Sequence, residues 1–137
     1  MVLLLCLLRG GVAVGQVFEL PSYDYRRSVQ DMVIQKVEIT SRYTVIEAHY
    51  TNRSGKPLFV IPEMCIIDPL TQKKYYIIKT DGIPMEPERR TFRGVGDEIE
   101  VKLYFPRINI GKTPMFDVIE DVEQGIKFYN VYLKIMA

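Results

Sequence analysis

The sequence predicts an all-β fold, an antiparallel immunoglobulin-like β-sandwich of about seven strands, and three observations carry that expectation. Short stretches alternate apolar and polar residues with a period of two, and Gly, Pro, Asn and Asp separate them. No window of helical length places its apolar residues at the helical period. Nine Tyr and six Phe with no Trp suit pleated surfaces, where aromatic side chains pack against cross-strand neighbours. With 137 residues, 47% of them hydrophobic, the chain has room for one core rather than two.

Taken in order, residues 1–15, "MVLLLCLLRGGVAVG", read as a signal peptide: an apolar run from Val2 to Leu8, then Arg9 and glycines, then a small-residue end at Ala13, Val14 and Gly15. No Lys or Arg precedes the run, and its length falls far short of the about 20 residues that span a bilayer. Residues 16–31 mix aromatics, a proline and two arginines and form an N-terminal arm, leaving 32–137 as the sandwich domain. "MVIQKVEIT" sets Val33, Val37 and Ile39 against Lys36, Glu38 and Thr40, the pattern of a half-buried strand. After a turn at Ser41-Arg42, "YTVIEAHYT" places Ile46, Ala48 and Tyr50 on one face and Glu47 and His49 on the other.

The Asn52–Pro57 stretch is a loop. "LFVIP" and "MCIID" follow as apolar runs interrupted by Pro62-Glu63, then a turn at Asp68-Pro69 and a strand "KKYYIIKT". The longest loop is "DGIPMEPERRTFRGVGD". The cleanest strand is "EIEVKLYF", with Ile99, Val101, Leu103 and Phe105 inward, and Pro106 ends it. Gly111 to Pro114 connect to "MFDVIE", Gly125 marks a bend, and "IKFYNVYLKI" turns Tyr129, Val131, Leu133 and Ile135 to one face and Phe128, Asn130, Tyr132 and Lys134 to the other.

The order of "VEIT…TVIEAHY", "YYIIKTDGI", "EIEVKLYFPRI", "FDVIED" and "IKFYNVYL" resembles a β-sandwich domain of secreted proteins from anaerobic Gram-negative bacteria, where it can precede a thioredoxin-like domain. The resemblance covers residues 33–135. It implies an immunoglobulin-like fold and an extracytoplasmic setting, periplasmic or secreted, and it brings no catalytic residues. The thioredoxin-like part and its CxxC are missing here, so redox activity is not carried over.

Eighteen basic against 17 acidic residues leave no overall field to attract nucleic acid or an anionic membrane. Loss of Arg9 with the leader takes one from the 18 and balances the chain at 17 against 17. Cys6 follows Leu5 where a lipoprotein cysteine wants a small residue, and without the leader Cys65 stands alone, which excludes an intramolecular disulfide or a paired-thiol metal site. Cys65, set in "MCII", reads as a small core residue. No cofactor and no metal is expected.

His49 is the only histidine, so a triad or a Cys65–His49 pair would depend on it alone, and it reads instead as a solvent-facing strand residue. Asp117, Glu120, Asp121 and Glu123 offer oxygen ligands but match no EF-hand spacing and read as a solvated acidic edge. Asn52-Arg53-Ser54 is a formal glycosylation sequon. The best binding candidate is "EPERRTFRG", where Arg89, Arg90 and Arg93 surround Phe92 and can meet a carboxylate or phosphate; the plainer reading is a flexible, solvated loop whose Glu86 and Glu88 offset the arginines. The expected function is that of an exported, non-catalytic interaction or accessory module whose partner is an unknown protein or envelope component. The alternatives are a small-molecule or glycan binder using tyrosines on a sheet face, and an enzyme built around His49 or the acids of 117–123.

Overall fold

The structure is a computed structural model that describes residues 15–109 and 114–134. It is an all-β sandwich of two antiparallel sheets. The strands are β1 (Gln16–Glu19), β2 (Met32–Ile39), β3 (Tyr43–Thr51), β4 (Cys65–Ile67), β5 (Lys74–Tyr76), β6 (Lys79–Asp81), β7 (Glu98–Pro106), β8 (Met115–Ile119) and β9 (Lys127–Tyr132). The larger sheet runs β1-β2-β3-β7-β6 and the smaller β5-β4-β8-β9. Among the described residues no helix is long and apolar enough to cross a membrane. The leader assigned to 1–15, with Cys6, falls outside the described residues save for Gly15, as do Ile135 and the connector at 111–113.

The core lies between the sheets. Ile34, Val37, Ile46, Ala48, Leu103 and Phe105 of the larger sheet meet Ile66, Phe116, Val118, Phe128 and Val131 of the smaller. Full burial of such a side chain stabilises by about 1.5–3 kcal/mol, which explains why β3 and β7 keep the alternation read from their sequences. Thr44, fully buried, satisfies its hydroxyl by donating to the Pro106 carbonyl (3.0 Å) and accepting from the Ile108 N–H (3.1 Å).

Among the described residues there are nine strands rather than about seven, and the differences have specific causes. The arm begins as a strand, because Gln16 to Glu19 pair with Ile39 to Lys36. Its remainder crosses to the smaller sheet and lies along β9, where the N–H groups of Asp24 and Val29 donate to the carbonyls of Tyr129 and Lys127 (2.8 and 2.9 Å). An edge that would expose unpaired donors and acceptors is thereby covered. "KKYYIIKT" is not one strand: it divides into β5 and β6, in different sheets. The switch occurs where the Ile77 N–H bonds Met64 and the next N–H, of Ile78, bonds Tyr104 of β7. "LFVIP" forms only isolated bridges, Leu58 to Arg90 and Val60 to Met85, which tie the longest loop to the body.

Two inward assignments are corrected, each by a bulge. The β2–β3 register shifts between Ile34 and Lys36, so Met32 and Ile34 are buried while Val33 pairs with His49 on the outer face. On β9, Phe116 pairs with Val131 and Val118 with Phe128, leaving Tyr129 and Asn130 opposite Asp117 alone. Phe128 therefore points inward and Tyr129 does not. Asn130 adopts a positive φ of 57°, which Asn tolerates better than most residues.

The outer face of the larger sheet carries a transverse row of alternating charge. Register places Glu19 beside Lys36, Lys36 beside Glu47, Glu47 beside Lys102 and Lys102 beside Asp81. Lys36 and Glu47 make the closest contact, at 3.1 Å, and Lys102 lies 4.0 Å from Glu47. Exposed pairs of this kind add little stability, and the row sets three acids against two lysines.

Candidate functional site

The longest loop is held at three places. Leu58 and Arg90 exchange backbone hydrogen bonds (2.8 and 2.9 Å). Phe92, half-buried, packs on the core with its ring 5.7 Å from that of Tyr50. Asp97 accepts from the N–H groups of Arg93 and Gly94 (both 3.2 Å), closing the turn before β7. Fully buried Asn52 secures the same turn: its amide donates to the Gly94 carbonyl (2.9 Å) and its oxygen accepts from the Gly55 N–H (2.9 Å). Both side-chain groups of Asn52 are thus spent inside the fold, so the sequon is inaccessible in the folded chain.

The loop presents Arg89, Arg90 and Arg93 to solvent. The Arg89 guanidinium lies 4.1 Å from the centre of the Phe59 ring and that of Arg90 lies 5.8 Å from Phe92. Phe92 is therefore an anchor for Arg90, while Arg89 stacks on a different ring that sequence reasoning did not single out. Arg90, Phe92 and Arg93 border a shallow groove of about 330 Å3, together with Asp97 and Glu98. Asp97 is engaged by backbone amides, and Glu98 binds His49 instead of an arginine. Among the described residues none of the three arginines forms an ion pair.

His49 is the middle of a clasp. It stands opposite Glu100 in the β3–β7 ladder, with Glu98 two residues away on the same face. Its Nδ1 bonds the Glu100 carboxylate and its Nε2 bonds that of Glu98 at 2.5 Å. Two acceptor groups on two ring nitrogens demand the doubly protonated imidazolium. The bond to Glu100 leads the forces that raise its pKa above the ordinary 6.5, against a smaller opposing effect of desolvation. The carboxylates sit on opposite sides of the ring, so they do not converge on one metal position. Among the described residues no group of three or more His, Cys, Asp or Glu could hold a metal ion. Cys65 belongs to the other sheet, in an outer row with Tyr76, Ile119 and Lys127, and cannot meet His49. It is buried, and desolvation pushes its thiol pKa up, away from the reactive thiolate.

The acids of 117–123 are not a uniform solvated edge. Asp117 accepts the N–H of bulged Asn130 (2.8 Å) and so completes the β9 irregularity. Glu120 is 4% exposed; its two oxygens accept the N–H groups of Ile61 (2.9 Å) and Ile126 (2.8 Å), joining the β8–β9 turn to the loop before β4. Burial raises its pKa despite these two bonds, which act in the opposite sense. Only Asp121 and Glu123 of the four are exposed. The local sequence signal for Glu120 was its place in an alternating strand, since Phe116, Val118 and Glu120 share a face.

Several aromatic faces that a sugar would stack on are covered by cations. Lys79 lies 5.1 Å from the Tyr43 ring and 4.8 Å from Tyr104, Arg27 lies 4.3 Å from Tyr129, and Lys73 lies 5.0 Å from Tyr75. No known protein family, no characterised protein and no solved structure matches the chain.

Glu120→Gln should destabilise the fold by about 1–3 kcal/mol, because the new NH2 faces a backbone N–H and leaves a buried donor unpaired. Asp121→Asn, at an exposed position, should change stability little. Urea unfolding of the two variants separates them, and equal midpoints would remove the structural role given to Glu120.

The clasp also fixes a pH dependence. His49 binds its proton more tightly in the folded chain, so the stability it contributes is complete below about 6.5 and is lost as pH rises through the raised folded pKa. Glu120, also raised, acts with the same sign in its own lower range. Ring-carbon NMR shifts should titrate His49 above the ordinary value, and Glu98→Gln with Glu100→Gln should return it there; an unshifted titration in the parent would contradict the clasp.

Proposed function

We propose that this chain is an exported, non-catalytic interaction module, and that the Arg89, Arg90 and Arg93 loop is where it meets a carboxylate- or phosphate-bearing protein or envelope component. One observation carries this reading: three exposed guanidinium groups stand on a braced loop, forming no ion pair among the described residues with Glu86 or Glu88 of the same loop, while Asp97 is committed to backbone amides and Glu98 to His49. An arginine laid on a ring loses less freedom on binding than one moving in solvent, and charge-assisted, forked contacts are the strong ones. Export is supported by the apolar leader and its small-residue end, and an immunoglobulin-like relationship by the strand order read from the sequence.

The binding reading is tested with an immobilised anionic polysaccharide at low salt. Arg89→Ala/Arg90→Ala/Arg93→Ala should abolish retention, whereas Lys73→Ala/Lys74→Ala/Lys134→Ala, which removes the same charge, and His49→Ala should retain it. Equal loss in both triple variants would reduce the effect to net charge and sink the assignment of the loop.

Export has its own measurement. Mass spectrometry of the native protein should find a chain beginning at Gln16, and a cytosolic chain that keeps Met1 would refute it.

A further inference from the structure

The two edges of the smaller sheet are treated differently. β9 is covered by the arm, whereas β5 ends the sheet on the other side and pairs with β4 alone among the described residues. Register shows which of its backbone groups are left over. The Ile77 N–H donates to the Met64 carbonyl and the Asp68 N–H to that of Lys73 (both 2.9 Å). The bonded positions therefore fall at Lys73, Tyr75 and Ile77, and the N–H and C=O groups of Lys74 and Tyr76 point away from β4. No backbone hydrogen bond reaches them among the described residues. Such a row is a template for one more strand.

Charge selects that strand. β5 and β6 are both edge strands and only Ile77 and Ile78 separate them, so Lys79 stands on the same side of the sandwich as Lys73 and Lys74. None of the three forms an ion pair among the described residues. Lys73 and Lys79 rest on tyrosine rings, and Lys74 is exposed on the outer face. Edge lysines repel a basic strand, and two β5 edges brought together would set the lysines of one copy against those of the other. An acidic strand meets no such barrier, because opposite charges on neighbouring strands attract.

The two faces of β5 add a second requirement. Tyr75 points inward, where with Leu70, Ile66 and Phe116 it lines a cleft of about 450 Å3. A residue opposite Tyr75 turns its side chain to that same side, so an apolar one fits there, between acidic neighbours that turn to the outer face with Lys74.

We propose that the free edge of β5 takes up an extended segment of a partner protein, alternating acidic and apolar residues, as an added antiparallel strand. Its backbone bonds Lys74 and Tyr76, its acidic side chains lie beside Lys74, and its apolar side chain opposite Tyr75 turns toward the cleft.

The test is an amide NMR titration of the full chain at low salt with a blocked Glu-Val-Glu-Val-Glu peptide, the same peptide N-methylated at its glutamates, and a blocked Lys-Val-Lys-Val-Lys peptide. The acidic peptide should give saturable shifts and slowed hydrogen exchange at the N–H groups of Lys74 and Tyr76. N-methylation, which removes the backbone donors and keeps the charge, should weaken it at least about ten-fold, and the basic peptide should not bind. Lys74→Glu, at an exposed position, should lose the acidic peptide and admit the basic one, with an otherwise unchanged amide spectrum showing the fold intact. Equal affinity for the methylated and unmethylated peptides, shifts confined to Arg89, Arg90 and Arg93, or no saturable shift at Lys74 and Tyr76 up to about 10 mM peptide overturns the proposal. Protection of the same two amides on concentrating the chain alone would give the edge to a second copy and overturn it as well. The readouts at β5 are separate from the arginines, so this result stands apart from that of the arginine loop.

Discussion

The pairing of β3 with β7 is the interaction on which the rest of the molecule depends. It joins every residue of Tyr43–Thr51 to a partner in Glu98–Pro106, across about half of the sandwich's sequence, with no break in register. Its inner face supplies Ile46, Ala48, Leu103 and Phe105 to the core, and burying these side chains against the smaller sheet holds the register fast, since a one-residue slip would turn them to solvent. Everything on the outer face inherits that register. Glu47 reaches Lys102, His49 reaches Glu100, and the ladder ends at Thr51 and Glu98, beside the turn that Asn52 and Asp97 close. The arginine loop is thus braced at one end by the longest ladder among the described residues.

Desolvation and hydrogen bonding divide the acidic residues into different kinds. Glu120 is buried, and the loss of water outweighs two good hydrogen bonds in setting its proton affinity. Asp117 and Asp97 accept backbone donors at irregular places, a bulge and a turn, where the ladder leaves N–H groups without partners. Glu98 and Glu100 serve a single imidazolium. A carboxylate committed to a backbone donor or to His49 is lost to the arginines nearby, so the availability of Arg90 and Arg93 follows from the needs of neighbouring backbone.

Cations resting on rings recur around the surface, at Tyr43, Tyr75, Tyr104, Tyr129, Phe59 and Phe92. A strand-rich chain places many aromatics on outer faces, where half of each ring would otherwise face water. Long basic side chains cover that surface with their stems while the charge stays solvated. The same arrangement covers the faces of those rings, while Tyr25, Tyr76 and Tyr132 stay exposed.

The sequence by itself determined the all-β class and the inward faces of β3 and β7, because alternation is a local property and in an unbroken ladder it persists from end to end. It also determined that Glu47 and His49 share an outer face, that the stretch after Asp81 up to Asp97 is a loop and that no second thiol accompanies Cys65 in the sandwich. Tertiary structure alone decided the phases at Val33, Phe128 and Tyr129, since one extra residue in a ladder reverses every side chain beyond it and leaves the local pattern unchanged. It alone divided "KKYYIIKT" between two sheets, brought Glu98 and Glu100 to His49, and buried Glu120 against Ile61. Those are encounters between residues remote in the chain, fixed by register and by which faces the two sheets bury together, and a one-dimensional pattern records the period of a strand but not the partner beside it.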